Sequence, residues 1–315
     1  MTRVFVSSVL ALSVVSAGAQ GGNQQGVVFR GAGDTVQVFV TVTDKANRLV
    51  PNLTRDDFQV FDGGKLQPLT VFDNSPQAVR LIVLIDVSTS MYGNLPLLRG
   101  ACHELFLRLG TQDLARVGTF GKEIDLGPEF TRDTDVLDGA LPKAIDLDAP
   151  TPLWRAMDTA MTALDKAEGR KVILVLSDSK DSMTGKFGQK FIGQLDVQDR
   201  ALREDVMIYG VGLRSRNAPG MSGGGSLSQQ LTDNLPDPGL GTVALETGGG
   251  YFELTPRDDL AATFGKVADE LHSQYLLGYS VPARDGKTHK VDVKTTVKDV
   301  KTRAKKSYVA PKTNK

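Results

Sequence analysis

Leu81-Ile-Val-Leu-Ile85-Asp86-Val-Ser88-Thr-Ser90 is the stretch on which the fold turns. Residues 81–85 are apolar without alternation, the mark of a strand buried on both faces. An oxygen-rich turn follows at once. The same grammar returns at Val172-Ile-Leu-Val-Leu176, followed by Ser177-Asp178-Ser179, and a further apolar strand is expected at Val206–Val211. Between these runs the period becomes helical. Asn94–Leu109 carries Leu98, Ala101, Cys102, Leu105 and Leu109 on one stripe. Pro152–Ala167 carries Leu153, Met157, Ala160, Met161 and Leu164, and Asp258–Ser273 carries Leu260, Phe264, Val267, Ala268 and Leu271. Asp133–Ala144, Phe191–Glu204 and Gly239–Thr247 read as further helices, and Arg116–Phe120 and Tyr251–Leu254 as short strands. Strand and helix alternate, which specifies α/β: a doubly wound, mostly parallel, Rossmann-like sheet covered on both faces.

Both flanks of this domain are β. Val36–Val42 alternates as a half-buried strand does. Thr54-Arg-Asp-Asp57 reads as a capping box opening a short helical turn that Phe58 staples. Phe58–Phe61 and Leu69–Phe72 read as strands, with Asp62-Gly-Gly64 as a turn after the first. After the α/β region come Gln274–Tyr279, Lys290–Val297 and Val300–Val309. Neither flank has enough strands to bury a core alone. Together they supply about six, so the expected arrangement is one small β-sandwich with the α/β domain inserted into it. The expected boundaries are 28–74 and 276–311 for the two halves of the sandwich and 79–275 for the inserted domain. Asn217–Gly239, rich in Gly, Ser and Pro, reads as a surface loop.

The 315 residues carry 37 basic and 37 acidic side chains, so no global field favours nucleic acid. The balance is uneven: Val281–Lys315 holds eleven Lys/Arg against three Asp/Glu. That reads as a solvated basic face helping the C-terminal segment dock on an acidic body, with an anionic binding surface as the sharper alternative. A single cysteine, Cys102, excludes an intramolecular disulfide and a Cys-based zinc cluster. At the N-terminus a basic start at Arg3, an apolar run over Val4–Val15 and Ala17-Gly-Ala19 read as a signal peptide over 1–19, with a polar linker over 20–27. The expectation is an exported protein of a bacterial envelope, periplasmic or secreted, with no membrane span in its mature form.

Ligands of open α/β sheets bind at the carboxyl ends of the parallel strands. There the chain offers Asp86, Ser88 and Ser90 after one apolar strand, Asp178 after another, and Thr151 at the start of a helix. An all-oxygen set with few charges suits a hard cation that keeps some waters, Mg²⁺ or Mn²⁺ ahead of Ca²⁺. Each residue also has a plainer reading. Asp86 and Ser90 suit turns, Asp178 suits a loop, and Thr151 before Pro152 suits a helix N-cap with Pro at N1.

Asp86-Val-Ser-Thr-Ser90-Met91 resembles the metal-ion-dependent adhesion site of von Willebrand factor type A domains, and the resemblance spans about residues 79 to 275. Asp86, Ser88, Ser90, Thr151 and Asp178 match that family's ligand positions one by one. The flanking Leu53-Thr-Arg-Asp-Asp-Phe58 and Ser273-Gln-Tyr-Leu-Leu-Gly-Tyr279 resemble a bacterial exported group carrying such a domain. Two features depart from the pattern: Thr151 follows Ala149-Pro150 rather than glycines, and Ser179 rather than Gly follows Asp178. The resemblance implies a non-enzymatic binding module that grips a partner's Asp or Glu through the cation. The runner-up is a structural envelope subunit whose metal site is vestigial or only stabilising.

Enzymatic readings find less support. Ser177-Asp-Ser-Lys180 matches Ser-x-x-Lys but lacks its companion motifs. Gly286-Lys-Thr288 is half a phosphate loop, with Val281 where the first Gly should stand, and Gly210-Val-Gly212 lacks a third Gly. A cation-assisted hydrolase needs a general base, and no His lies near the motif in sequence.

Overall fold

The computed structural model describes residues 35–91, 94–178, 180–182, 191–214, 236–255 and 257–313. The expected signal peptide, the linker, the first residues of the sandwich, Tyr92, Ser179 and most of the 217–239 loop lie outside these. Among the described residues no helix is long and apolar enough to cross a membrane.

The central sheet has six strands: β5 (Val79–Asp86), β6 (Leu114–Phe120), β7 (Ile124–Leu126), β8 (Arg170–Ser177), β9 (Val206–Leu213) and β10 (Tyr251–Leu254). Their spatial order is β10-β9-β8-β5-β6-β7. All neighbours pair in parallel except the β6–β7 edge. Counted from β5, this is the 3-2-1-4-5-6 order of doubly wound sheets, which places the topological switch point between β5 and β8. Helices α1 (Leu95–Leu107), α2 (Thr134–Ala140), α3 (Leu153–Leu164), α4 (Gln194–Glu204), α5 (Pro238–Glu246) and α6 (Leu260–His272) cover it. Leu81, Val83 and Ile85 pack with α1, α2 and α6 on one face, while Ile82 and Leu84 pack with α3, α4 and α5 on the other. Two buried faces are why the run 81–85 has no polar residue: each fully buried large side chain contributes about 1.5–3 kcal/mol.

The flanks form two antiparallel four-stranded sheets. One is ordered β13-β1-β11-β4, from β1 (Thr35–Asp44), β4 (Val71–Asp73), β11 (Tyr275–Ser280) and β13 (Val300–Arg303). The other is β14-β12-β2-β3, from β2 (Phe58–Asp62), β3 (Lys65–Gln67), β12 (Thr288–Thr295) and β14 (Ser307–Val309). Each sheet mixes strands from both ends of the chain, Val36 opposite Tyr279 and Val60 opposite Val293. They share one core that includes Val38, Val40, Phe58, Val60, Tyr275, Leu277 and Tyr308.

Several elements differ from expectation. Val300–Val309 is two strands in different sheets, because the chain crosses between them at Ala304–Lys306. The helix expected to reach Ala144 ends at Ala140: Leu141, extended at ψ 140°, precedes Pro142, which disfavours the helical region before it. β3 and β7 went unread; both are three residues long, too short for a period. Gly63 and Gly64, at φ 54° and 81°, form the tight turn that creates β3.

The basic C-terminal stretch does dock in part on the acidic body. Arg303 pairs with Glu270, and Lys305 with Asp205 at 2.6 Å. Behind them Arg170 is buried, donating to the Leu271 carbonyl (2.9 Å) and the Gln274 amide oxygen, and lying 4.3 Å from the centre of the Phe39 ring. Gln274 in turn donates to the Thr41 hydroxyl at 2.6 Å. Burial draws the Arg170 guanidinium down to about 10. This network joins β1 and β11 to the base of the central sheet.

Two outcomes are expected. Deleting 281–315 removes β12 from beside β2, so hydrogen exchange at Phe58–Asp62 accelerates toward unprotected rates; retained protection refutes the pairing. Separately, His289 contacts Asp62 and Asp285, each at 3.1 Å. Burial opposes its charge, but hydrogen bonds to Asp285 and Asp62 outweigh that and raise it above its ordinary value. Its stabilisation is therefore full below that ordinary value and lost as pH rises through the raised one. His289→Gln should cost more stability at about pH 5.5 than at about pH 8.5 in urea melts.

Candidate metal site

Asp86 is the last residue of β5, and Asp178 follows the last residue of β8, its neighbour across the switch point. Both are buried, as are Ser88 and Thr151. The Asp86 carboxylate is clamped at both oxygens. The Ser88 amide donates to Oδ1 at 2.9 Å, and the Ser177 hydroxyl donates to Oδ2 at 2.6 Å. The turn after β5 then tightens into a 3₁₀ helix over Thr89–Met91, closed by Met91 N–H to the Ser88 carbonyl (3.0 Å) and anchored by the buried Met91 side chain. That turn brings the Ser88 and Ser90 hydroxyls within 3.1 Å of each other, and Ser90 donates to Asp178 Oδ1 at 2.6 Å. Four of the five expected residues thus belong to one hydrogen-bonded cluster.

Thr151 stands beside it by another route. Its amide donates to the Ser182 hydroxyl (2.5 Å) and its carbonyl accepts from the Ser182 amide (3.0 Å), fastening it to the loop that carries Asp178. It is not an N-cap. α3 begins at Leu153 with Pro152 in the cap position and no side-chain cap bond, which corrects the plainer reading of Thr151. Of the two nearby acids, Asp148 donates its amide to the Thr89 hydroxyl (2.9 Å), and Asp181 accepts from the Trp154 amide (3.4 Å).

Ser177 is the residue that sequence reading passed over as a partner. It looked like the start of a polar turn, yet it is the last residue of β8, aligned with Gly212 of β9, and its hydroxyl holds Asp86. The signal was present in the first polar residue to follow a fully apolar run beside another such run.

Burial pushes the Asp86 carboxyl up to about 6, against the lowering effect of Ser177 and Ser88, and Asp178 raises it further. No basic side chain pairs with Asp86 among the described residues. Buried carboxylate without a cation is an electrostatic deficit that a hard cation relieves. The donor set therefore fits Mg²⁺ or Mn²⁺. No group of three or more His, Cys, Asp or Glu that could hold a metal ion is found among the described residues. All three histidines lie elsewhere: His103 pairs with Asp138, His272 with Asp113 and His289 with Asp62.

No family model and no curated protein matches the chain. Solved structures do resemble it. A von Willebrand A protein of Sulfolobus acidocaldarius, the ArnB paralog VWA2, is 13% identical over 89% of this chain and 76% of its own, with a TM-score of 0.45. The SpRpn10 VWA domain is 15% identical over 60% and 95%, with a TM-score of 0.42. Proximal thread matrix protein 1 of the mussel byssus, solved with a zinc-occupied MIDAS motif, is 16% identical over 65% and 48%, with a TM-score of 0.44.

Two measurements check it. Ser177→Ala should weaken Mg²⁺ binding by about 10–100-fold with the fold intact, the usual cost of removing a group that orients a ligand. Protons compete with the cation for Asp86, so affinity should fall below about pH 6, approaching tenfold per pH unit, and level off above it. Calorimetric titrations at several pH values would show both effects.

Proposed function

We propose that this protein is an exported, non-enzymatic protein-binding module. Asp86, Ser88, Ser90, Thr151 and Asp178 hold Mg²⁺ or Mn²⁺, and the bound ion accepts a carboxylate from an Asp or Glu of a partner protein. The observation that carries this reading is the cluster joining Asp86, Ser88, Ser90 and Asp178 at the switch point of the sheet. Its groups are hydroxyls and carboxylates, suited to holding a hard ion and unsuited to proton transfer near neutral pH once the ion is bound. Two carboxylates and three hydroxyls leave a divalent cation short of full octahedral coordination, and a partner carboxylate is a hard oxygen donor that completes it.

Within this chain, the two serines and Asp178 would orient the ion, and Ser177 would hold the Asp86 carboxylate toward it. One metal–carboxylate contact does not distinguish one acidic surface from another, so the surrounding loops set specificity. Leu147 is 62% exposed on the turn between Asp146 and Asp148, and that turn is strapped to Val87 and Thr89 beside the motif. Export rests on the reading of residues 1–19 as a signal peptide.

Asp86→Ala should abolish Mg²⁺ binding in calorimetry while the circular dichroism spectrum stays native, since β5 is held by its apolar residues. A partner captured from envelope extract should be released by EDTA and by Asp→Asn or Glu→Gln change at one of its residues. A partner retained equally in EDTA by the wild-type protein and by Asp86→Ala overturns the proposal and favours the structural subunit.

A further inference from the structure

Thr151 is held differently from the other four residues of the metal site. It is buried, yet the chain around it has few donors to fasten it with. Pro150 and Pro152 flank it, so the Thr151 amide is the single N–H of residues 150–152. α3 does not claim that residue, since it starts at Leu153 and has no side-chain cap bond at Pro152. The Thr151 carbonyl accepts from the Leu153 amide (2.9 Å), a local bond that turns the chain into α3. The tie to the rest of the site comes from Ser182. Its hydroxyl accepts from the Thr151 amide (2.5 Å), and its own amide donates to the Thr151 carbonyl (3.0 Å).

Such a strap is only as firm as the loop that bears it. Asp181, the preceding residue, ties that loop to two helices. Its Oδ1 accepts from the Trp154 amide in the first turn of α3 (3.4 Å), and its amide donates to Asp237 Oδ2 (3.0 Å). Asp237 belongs to a third loop, 56 positions from Asp181 in the chain. Its other oxygen, Oδ1, accepts from the Gly239 amide (2.8 Å), which makes Asp237 the N-cap of α5. One oxygen caps a helix and the other holds the metal-site loop.

α5 gives that carboxylate a firm base. Gly239 and Leu240 are buried. A Cβ on Gly239 would lie 2.8 Å from the Trp154 ring and 2.6 Å from the Gln194 side-chain oxygen, so the amino ends of α3, α4 and α5 pack closely together. Capping needs a single acceptor oxygen, which Ser or Asn supplies as well as Asp. It does not account for the second oxygen on the Asp181 amide.

Given a cation held by Asp86, Ser88, Ser90, Thr151 and Asp178, we propose that Asp237 and Ser182 are positioning residues of that site. Asp237 fixes residues 180–182 against α5, and Ser182 fixes the Thr151 backbone, so that the Thr151 hydroxyl is presented to the ion. Neither side chain touches the ion. The affinity of the site is thus set in part from the far end of a segment that reads, in sequence, as a plain surface loop.

The test uses the full chain, Mg²⁺ titration by calorimetry, and hydrogen exchange of the metal-free protein read at the Thr151 amide. Asp237→Asn keeps one oxygen for the Gly239 amide and puts an NH₂, which accepts nothing, where the Asp181 bond was. Ser182→Ala removes the acceptor of the Thr151 amide while changing neither charge nor cap, so it stays decisive if Asp237→Asn folds poorly. Each should weaken Mg²⁺ binding about 10–100-fold and speed exchange at the Thr151 amide by roughly tenfold or more, with the melting temperature of the metal-free protein unchanged. Ser182→Thr, which restores the hydroxyl, should bind as the wild type does. The proposal is overturned if Ser182→Ala or a folded Asp237→Asn binds Mg²⁺ like the wild type while Asp86→Ala does not bind it; the metal-site reading then stands. It is also overturned if Asp237→Asn weakens binding with exchange at Thr151 unmoved, because Asp237 then acts only as a distant charge. Wild-type protein that takes up no Mg²⁺ at millimolar concentration overturns the metal-site reading and this proposal together.

Discussion

Everything in this molecule is arranged around a strand that has no free side. β5 is paired on both edges, to β6 and β8, and packed on both faces by helices. A chain leaving such a strand emerges at the switch point, where β5 sends its crossover through α1 on one face and β8 sends its own through α4 on the other, which opens a crevice that only loops can fill. Asp86 stands at that exit. Its carboxylate is buried because the strand is buried, and it is tolerated because Ser177 and Ser88 donate to its two oxygens. The elevated carboxyl and the convergence of hydroxyls on one point follow from that placement.

The strands of this core were legible because their physics is local. A run buried on both faces admits no polar residue, so Leu81–Ile85 and Val172–Leu176 announce themselves, and the stripes of α1, α3 and α6 do likewise. The elements that went unread are those decided by distant partners. β7 exists because Gly118 of β6 leaves room for Leu126; a Cβ there would come within 2.5 Å of that side chain. Nothing in Ile124-Asp-Leu126 signals a strand by itself. The division of Val300–Val309 is also a tertiary decision, since β13 pairs with β1 and β14 with β12, about 260 and 20 positions away respectively. For the site, the sequence named four residues that hydrogen bonds join, Asp86, Ser88, Ser90 and Asp178, but not how they are held. Thr151 looked like a cap because Thr-Pro opens many helices, yet its backbone is spent on Ser182. Ser177 looked like a turn, yet it is a clamp.

The insertion of one domain within another has a mechanical consequence. The α/β domain is entered through Asn74–Ala78 and left through Ser273–Gln274, and both connectors lie at the base of the sheet. Arg170, Gln274, Thr41, Tyr209, Glu270 and Arg303 form a continuous polar network there. Burying a guanidinium costs several kcal/mol unless its donors are met, and Arg170 meets part of that with a carbonyl, an amide oxygen and an aromatic face, its Nε having no hydrogen-bond partner among the described residues. Such a network opposes relative rotation of the two layers, because displacement costs the buried guanidinium the partners it has.

The two ends of the sheet differ in chemistry. At the carboxyl ends of β5 and β8, carboxylates are buried among hydroxyls with no basic side chain on Asp86, so the missing partner is a cation. At the amino ends the carboxylates are saturated from within the protein: Asp113 holds two amides and an imidazole, and Asp73 a hydroxyl and amides. Helix polarity reinforces the contrast, because α1 and α6 both direct their carbonyl ends at the base, where Arg108 and His272 sit in or just past the last turn. The same parallel sheet therefore holds a buried carboxylate without a cationic partner at one end and carboxylates satisfied by amides, a hydroxyl and an imidazole at the other, about 25 Å apart.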